Sequence, residues 1–321
     1  MRLRRERSDN KIFVTLNFCP LICVYIMEKY EKGLKPTMKK LLCFLTALVL
    51  LCACLPALAE SWGQDPLCFE GTPDYTYDDS STEGGHLKIN IKQFVDGTKL
   101  VYYVCDIQVS SPDALITAFY NDKKVSATGL MEDIAQANNA VLAINCDFCG
   151  DHTSGVIIRN GRLYRASKTN KLDMLIIDKN GDFSLHYDRS KDDPEQLAQE
   201  LLGQGVLQTI EFGPALVENG QALPLDNKTH VISTRSTQLE PRTAIGQIGK
   251  LHYIIIMVEG RRDGYSDGIS LQGLQQLFLQ YGAQTAINLD GGGSAKLYFY
   301  NQVINRPSSP TRQVSDALIF K

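Results

Sequence analysis

Leu87-Lys-Ile-Asn-Ile91 alternates apolar and polar residues, as a half-buried strand does. Leu100 to Val109 reads as a second strand, and Asp96-Gly97 supplies the hairpin turn between them. Val141-Leu-Ala-Ile144 is short and wholly apolar, which predicts a buried strand. Asn160-Gly161 divides Ser154–Tyr164 into a hairpin, and Lys179-Asn-Gly-Asp182 joins Leu172–Asp178 to Phe183–Tyr187. Phe212 to Val217, the Asn219-Gly220 turn and Leu223 form a further strand and turn. Pro241 to Gln247 and His252 to Val258 flank Gly249-Lys250, and the second of these is apolar enough to be central. Lys296 to Tyr300 and Val314 to Phe320 close the sheet.

A helical period surfaces three times. In Thr128–Asn138, Leu130, Ile134 and Ala137 share a face, and Thr128 is placed to cap. Asp193-Pro194 opens a polar helix through about Leu202. Ser270 caps a helix with Leu271, Leu274, Leu277, Phe278 and Tyr281 on one face, and Gly282 ends it. Strand, helix and the strand Thr285–Leu289 at this spacing predict a parallel crossover, with polar groups gathered at the C-terminal ends of its strands. The fold class expected is α/β in the mixed α+β sense: a mixed β-sheet core with several hairpins and a few flanking helices.

Two segments lack this periodicity. Residues 60–85 are rich in Asp, Ser, Thr, Gly and Pro and read as a flexible stretch, so the folded domain is expected over 86–321. Residues 224–241 are polar and turn-rich, a surface loop with the length of a lid.

Charge changes the picture at the N-terminus. Residues 1–59 carry ten Lys/Arg and four Asp/Glu, a net of +6, which leaves −9 for residues 60–321 out of a total of −3. An acidic body argues against nucleic acid as a partner. Met38-Lys-Lys40, the apolar run Leu41–Leu55 and Ala57-Leu-Ala59 read together as a signal peptide over 38–59, cut after Ala59. The run is short for a transmembrane helix, so no stable membrane span is expected after cleavage. The chain is expected to be secreted or associated with the cell envelope. Leu51-Cys-Ala-Cys54 resembles a lipoprotein box and gives anchoring at Cys54 as the alternative. Residues 1–37 precede Met38 and read as a mis-called extension.

Of nine cysteines, only Cys68, Cys105, Cys146 and Cys149 lie beyond the signal region. Cys146-x-x-Cys149 has no second pair to complete a zinc site, which favours a local disulfide or two free thiols.

The candidate chemistry lies where strands end. Asn145 and Asp147 follow one strand, Glu259, Arg261 and Arg262 another, and Asn288 and Asp290 a third. Arg242 opens a strand and Arg312 precedes the last. Asp290 runs into Gly291, Gly292, Gly293 and Ser294, where a backbone can turn sharply against a ligand. The spacing fits neither a phosphate-binding loop with its lysine nor a dinucleotide fingerprint, and no Gly-x-Ser-x-Gly elbow supports Ser294 as a nucleophile. The histidines, at 86, 152, 186, 230 and 252, show no metal-ligand spacing, although His152 lies close enough to Asp147 to line a site. Carboxylates paired across a cleft suit glycosidic cleavage, and arginines suit phosphate.

Eight blocks add a resemblance. They are Ala143–Phe148, Gly155–Gly161, Phe212–Val217, Pro241–Gly246, Val258–Arg261, Gly268–Leu271, Ala286–Ser294 and Arg312. In order and spacing the chain resembles the phosphodiester glycosidase domain family, which includes a lysosomal enzyme and exported bacterial relatives. The resemblance implies a site built around Asn145, Asp147, Arg242, Glu259, Asn288, Asp290 and Arg312. Cys146 stands where the family has Gly, and Glu259 where it has Asp.

The expectation is therefore an exported glycosidase that hydrolyses a sugar-1-phosphate diester in a cell-wall, capsular or glycolipid glycan. Asp290 with Asp147 or Glu259 would be the acid/base pair, and Arg242, Arg261 and Arg312 the phosphate clamps. Asn145, Asn288, Gly291, Gly292, Gly293 and Ser294 would complete the substrate site. A non-catalytic polysaccharide-binding protein is one alternative. A metal-dependent phosphodiesterase is the other, with Asp147, Asp290 and Asn288 as oxygen ligands for an ion such as calcium. No cofactor is otherwise expected.

Overall fold

The computed structural model describes residues 72–80, 86–97, 99–121, 125–226 and 237–321. The signal peptide, the cysteines before Cys105, His230 and the middle of the 224–241 loop lie outside them.

The strands in order are β1 (Tyr75–Asp78), β2 (Leu87–Asp96), β3 (Leu100–Val109), β4 (Leu115–Phe119), β5 (Leu142–Asn145), β6 (Gly155–Arg159), β7 (Arg162–Ser167), β8 (Asp173–Ile177), β9 (Phe183–His186) and β10 (Gln208–Phe212). They continue with β11 (Ala215–Glu218), β12 (Gln221–Ala222), β13 (Arg242–Gly249), β14 (His252–Val258), β15 (Thr285–Asn288), β16 (Leu297–Phe299), β17 (Gln302–Val303) and β18 (Asp316–Phe320). Three helices accompany them: α1 (Met131–Ala137), α2 (Pro194–Gly203) and α3 (Leu271–Gln280).

An eight-stranded sheet runs β1-β2-β3-β14-β13-β15-β11-β12, and a five-stranded sheet runs β17-β16-β5-β18-β4. Ile245, Ile255 and Ile287 of the larger sheet share a core with Leu142, Ile144, Leu318 and Phe320 of the smaller. Side chains alternate along a strand, so Ala244, Ile254, Ile256 and Ala286 face the other way, against Leu274 and Phe278 of α3. Likewise Ala143, Ala317 and Ile319 pack under Met131 and Ile134 of α1. The result is helix, sheet, sheet, helix. With both faces covered, all seven residues of β14 are buried, which explains why, after His252, its sequence carries no charged residue until Glu259. A three-stranded sheet, β10-β8-β9, adds Leu175, Ile177 and Ile210 to the central core.

The expected local signals hold at several points. Ser270 Oγ accepts from Gly273 N–H at 3.1 Å, and Gly282 takes a left-handed φ of 76°. Asp193 Oδ1 accepts from Glu195 and Gln196 N–H at 2.9 and 3.1 Å, with Pro194 in the first turn.

Four expectations change. Every pairing between described strands is antiparallel, so β14, α3 and β15 are not an adjacent parallel unit. β13, delivered beside β14 by a tight turn, occupies the slot between β14 and β15 and pairs with both. β14 and β15 still run the same way, so their C-terminal ends and the start of β13 reach one edge. Residues 75–78, inside the stretch expected to be flexible, form β1 against β2, because Tyr75 and Tyr77 alternate with polar residues and pack on the core. β4, which the sequence pattern did not mark, pairs with β18. Finally, Thr128 does not cap α1: the N-cap is Leu130, and Thr128 Oγ1 donates to Gln313 Oε1 at 3.0 Å.

Candidate functional site

β15 ends at Asn288, and the chain turns through Asp290 into a short 3-10 turn over Gly292–Ser294. The glycines answer to crowding. A Cβ on Gly291 would stand 2.6 Å from the Pro241 carbonyl oxygen, well inside contact distance. Gly292 has φ +60°, and a Cβ there would meet the Arg261 guanidinium at 3.1 Å. A side chain on either would push the turn off the start of β13.

Beside this turn lies a cleft of about 340 Å³. Asn288 to Gly292 form one wall, Glu240 to Arg242 with Arg261 another, and Phe148, Leu172, Phe212 and Pro214 supply apolar surface. The structure thus brings Asp290, Asn288, Arg242, Arg261, Gly291 and Gly292 together, as the sequence suggested. Aromatic and aliphatic surface with a few convergent polar groups is the usual make-up of a small-molecule site.

Each polar group has a distinct setting. Burial raises the Asp290 pKa, against the opposing pull of the Ser294 hydroxyl, the Gly291 N–H and the Arg312 charge; the Asp147 charge adds to the rise. Asn288 Nδ2 donates to the Gly213 carbonyl at 2.8 Å, while its Oδ1 is buried with no hydrogen-bond partner among the described residues. Arg242 is 8% exposed and donates to the Ile269 and Gln238 carbonyls, each at 3.3 Å. Burial lowers its pKa, Glu240 opposes that shift and Arg261 adds to it. Arg261, at a left-handed φ of 57°, turns its guanidinium to Glu240 Oε2 at 2.5 Å. Two cations and a carboxylate thus stand in one wall.

The remaining candidates are placed elsewhere. Asp147 is not a cleft residue. It is buried, ion-paired to Arg159 at 3.0 Å, and accepts from Cys149 and Glu211 N–H at 3.0 and 3.1 Å. Burial pushes its pKa up, but Arg159 and these donors outweigh it and the net shift is downward. Asp316 shares the same Arg159 at 2.9 Å, and burial followed by the Asp147 charge raises its pKa. Two carboxylates on one cation cannot both ionise freely. Asn145 is a brace: its amide donates to the Asp290 carbonyl, and its Oδ1 accepts from Thr243 Oγ1 at 2.9 Å and Lys296 N–H at 3.2 Å. Glu259 is buried behind the cleft and accepts from Arg306 N–H at 2.6 Å. Arg312 is on the surface, 3.8 Å from Asp151, with its charge felt at Asp290. Gly293 lies under Ser309, and Ser294 is buried beside Asp290.

Among the described residues, one trio of side chains could share a metal ion: Asp147, Cys149 and Asp316. Arg159 already bridges the two carboxylates, so that charge is neutralised from within the protein. Cys105, Cys146 and Cys149 are free thiols, and burial raises the pKa of each. His152 stands edge-on to Phe148 at 5.0 Å, adjoining the cleft through that ring. No described helix is long and apolar enough to cross a membrane.

Sequence reasoning missed Glu240 and Arg159. Glu240 sits in a polar loop with no period to mark it. Arg159 did carry a signal: an arginine closing the apolar run Val-Ile-Ile demands a buried partner.

Comparison with known proteins gives the family and the fold. Over 193 residues the chain is 28% identical to the SPbeta prophage-derived uncharacterized protein YomE of Bacillus subtilis (strain 168), covering 58% of this chain and 28% of that protein. The chain thus spans little more than a quarter of that relative's length. Its fold is similar to the zebrafish N-acetylglucosamine-1-phosphodiester alpha-N-acetylglucosaminidase catalytic domain, auto-inhibited by its pro-peptide, with a TM-score of 0.61 and 20% identity. That likeness covers 77% of this chain and 87% of the other. Residues 138–321, more than half of the chain and all of the cleft lining, match a family of hydrolases acting on phosphodiester glycosyl bonds. The chain belongs to the phosphodiester glycosidase family.

Proposed function

We propose that the protein is an exported glycosidase that hydrolyses a sugar-1-phosphate diester of a cell-wall, capsular or glycolipid glycan. The observation that carries this reading is Asp290, inclined by burial to hold its proton, in one cleft with Arg242 and Arg261. The arginines take the phosphate through charge-assisted hydrogen bonds. As the bond between the sugar anomeric carbon and the phosphate oxygen breaks, negative charge grows on the departing phosphate, and the two guanidiniums stabilise it. Asp290 gives its proton to that oxygen as general acid. Water adds its oxygen to the anomeric carbon and releases a proton to Glu240, the second carboxylate of the cleft, in the role expected of Asp147 or Glu259. The unpaired Asn288 Oδ1 accepts from a sugar hydroxyl or amide, and Phe148, Phe212 and Leu172 meet the apolar face of the ring.

Hydrolysis of the methyl phosphodiesters of glucose and N-acetylglucosamine in oxygen-18 water tests this reading. Label in the released sugar is expected. Label in the phosphate would instead support a phosphodiesterase.

A further inference from the structure

Residues 305–312 run beside the glycine turn as a strap. Ser308 Oγ donates to the Gly292 carbonyl at 3.3 Å. A Cβ on Gly293 would stand 3.1 Å from Ser309 Cβ and 3.9 Å from Arg312 Cγ. Arg312 N–H donates to the Ser309 carbonyl at 3.1 Å, which closes the strap's outer end. From there the Arg312 charge acts on Asp290.

The inner end is tied to a buried carboxylate. Arg306 N–H donates to Glu259 Oε1 at 2.6 Å, and Arg262 Nη2 donates to the Pro307 carbonyl at 2.8 Å. Glu259 is itself fixed at the end of β14: its N–H donates to the Val101 carbonyl at 2.9 Å, and its carbonyl accepts from Ser266 Oγ at 2.7 Å. The Arg306 guanidinium lies 4.9 Å from the Tyr265 ring centre, and the Tyr265 phenol stands beside Glu259, its pKa raised to about 12 by burial and then by that carboxylate. Glu259 is 2% exposed and does not line the cleft. A carboxylate taken out of water is costly unless donors and cations repay it. Here the strap supplies the donor to Oε1, while Oε2 is buried with no hydrogen-bond partner among the described residues.

We propose that Glu259 is a positioning residue, anchoring strap 305–312 so that the glycine turn and Arg312 are held at Asp290. Its catalytic readout rests on the function proposed above, whereas the anchoring itself does not. The geometry separates two roles. A backbone N–H needs an acceptor oxygen, which glutamine supplies and alanine lacks. Proton transfer needs a carboxyl, which glutamine lacks too.

The test compares Glu259→Gln and Glu259→Ala in the full chain, using the two methyl phosphodiesters and amide hydrogen exchange across 300–315. In Glu259→Ala, protection at Arg306 is expected to be lost and kcat to fall on the order of 100-fold, with KM changing less, as a displaced site costs. Glu259→Gln is expected to keep Arg306 protected and activity within about fivefold of wild type, since a neutral hydrogen bond replaces a charged one. Glu259→Gln as inactive as Glu259→Ala, with Arg306 still protected, would overturn the proposal in favour of proton transfer. Unchanged Arg306 exchange in Glu259→Ala would overturn it as well. Should the wild type cleave neither diester, the proposed function fails while the exchange arm still decides the anchor. Should Glu259→Ala not fold, Glu259→Gln alone decides between the roles.

Discussion

Ala143-Ile-Asn-Cys-Asp147 at the end of β5 and Ala286-Ile-Asn-Leu-Asp290 at the end of β15 share one pattern, yet their carboxylates meet different surroundings. The two strand ends even brace each other: Asn145 donates to the Asp290 carbonyl, and Asp290 N–H donates to the Cys146 carbonyl at 3.2 Å. Asp147 is met by Arg159 and two backbone donors, and its pKa falls. Asp290 lines a cleft, and burial raises its pKa. The asparagines diverge in parallel. Asn145 has both ends of its amide bonded, while Asn288 keeps an unpaired oxygen in the cleft wall. Local sequence decides where a carboxylate emerges; the elements packed against it decide whether it is a strut or a reagent.

The largest expected contrast is in stability. Asp147→Asn removes a charged hydrogen-bond partner from buried Arg159, with Asp316 still beside it, and should cost about 2–3 kcal/mol in urea unfolding. Asp290→Asn should change stability by less than about 1 kcal/mol, because it removes a charge that burial already disfavours. Equal losses in both would erase the distinction.

Activity should show the reverse. Asp290→Asn is expected to lower kcat/KM on the methyl phosphodiesters by at least about 100-fold, the scale of a lost general acid. Wild-type turnover in that variant would remove Asp290 from the chemistry. Arg242→Gln should raise KM about 10-fold or more, as loss of a charged hydrogen bond to phosphate does. An unchanged KM would move the phosphate away from that wall.

The smallest effects are in pH dependence, and their signs differ. Asp147 has a lowered folded pKa, so its stabilisation is present above the unfolded value and is lost as pH falls below about 3.8. Asp290 has a raised folded pKa, so its native form keeps a proton that the unfolded chain has released. Its contribution to stability therefore declines as pH rises from about 3.8 through the folded value. Acid and alkaline titrations of the two Asn variants against wild type would show which limb each carboxylate governs. The Arg312 charge lowers the Asp290 pKa, so Arg312→Gln should move the descending limb of kcat/KM to higher pH. A downward shift would contradict the general-acid role.

The residues alone made legible the hairpins at Asp96-Gly97, Asn160-Gly161 and Lys179–Asp182, the caps Asp193 and Ser270, and the glycine turn after Asp290. These are short-range matters, settled by turn geometry and by hydrogen bonds within a few residues. The sequence also named Arg242, Arg261, Asn288 and Asp290 of the cleft, since strand ends follow from the period of the strands, but not Glu240, which lies in a loop without a period. It could not say that β13 divides β14 from β15, because pairing order is a competition among distant segments. Nor could it separate Asp147 from Asp290, or give Glu259 its place under the strap. Asp147 acquires its role from Arg159 on a neighbouring hairpin and shares that cation with Asp316 at the far end of the chain. A buried charge is governed by what surrounds it within a few ångströms, and only the tertiary structure decides what that is.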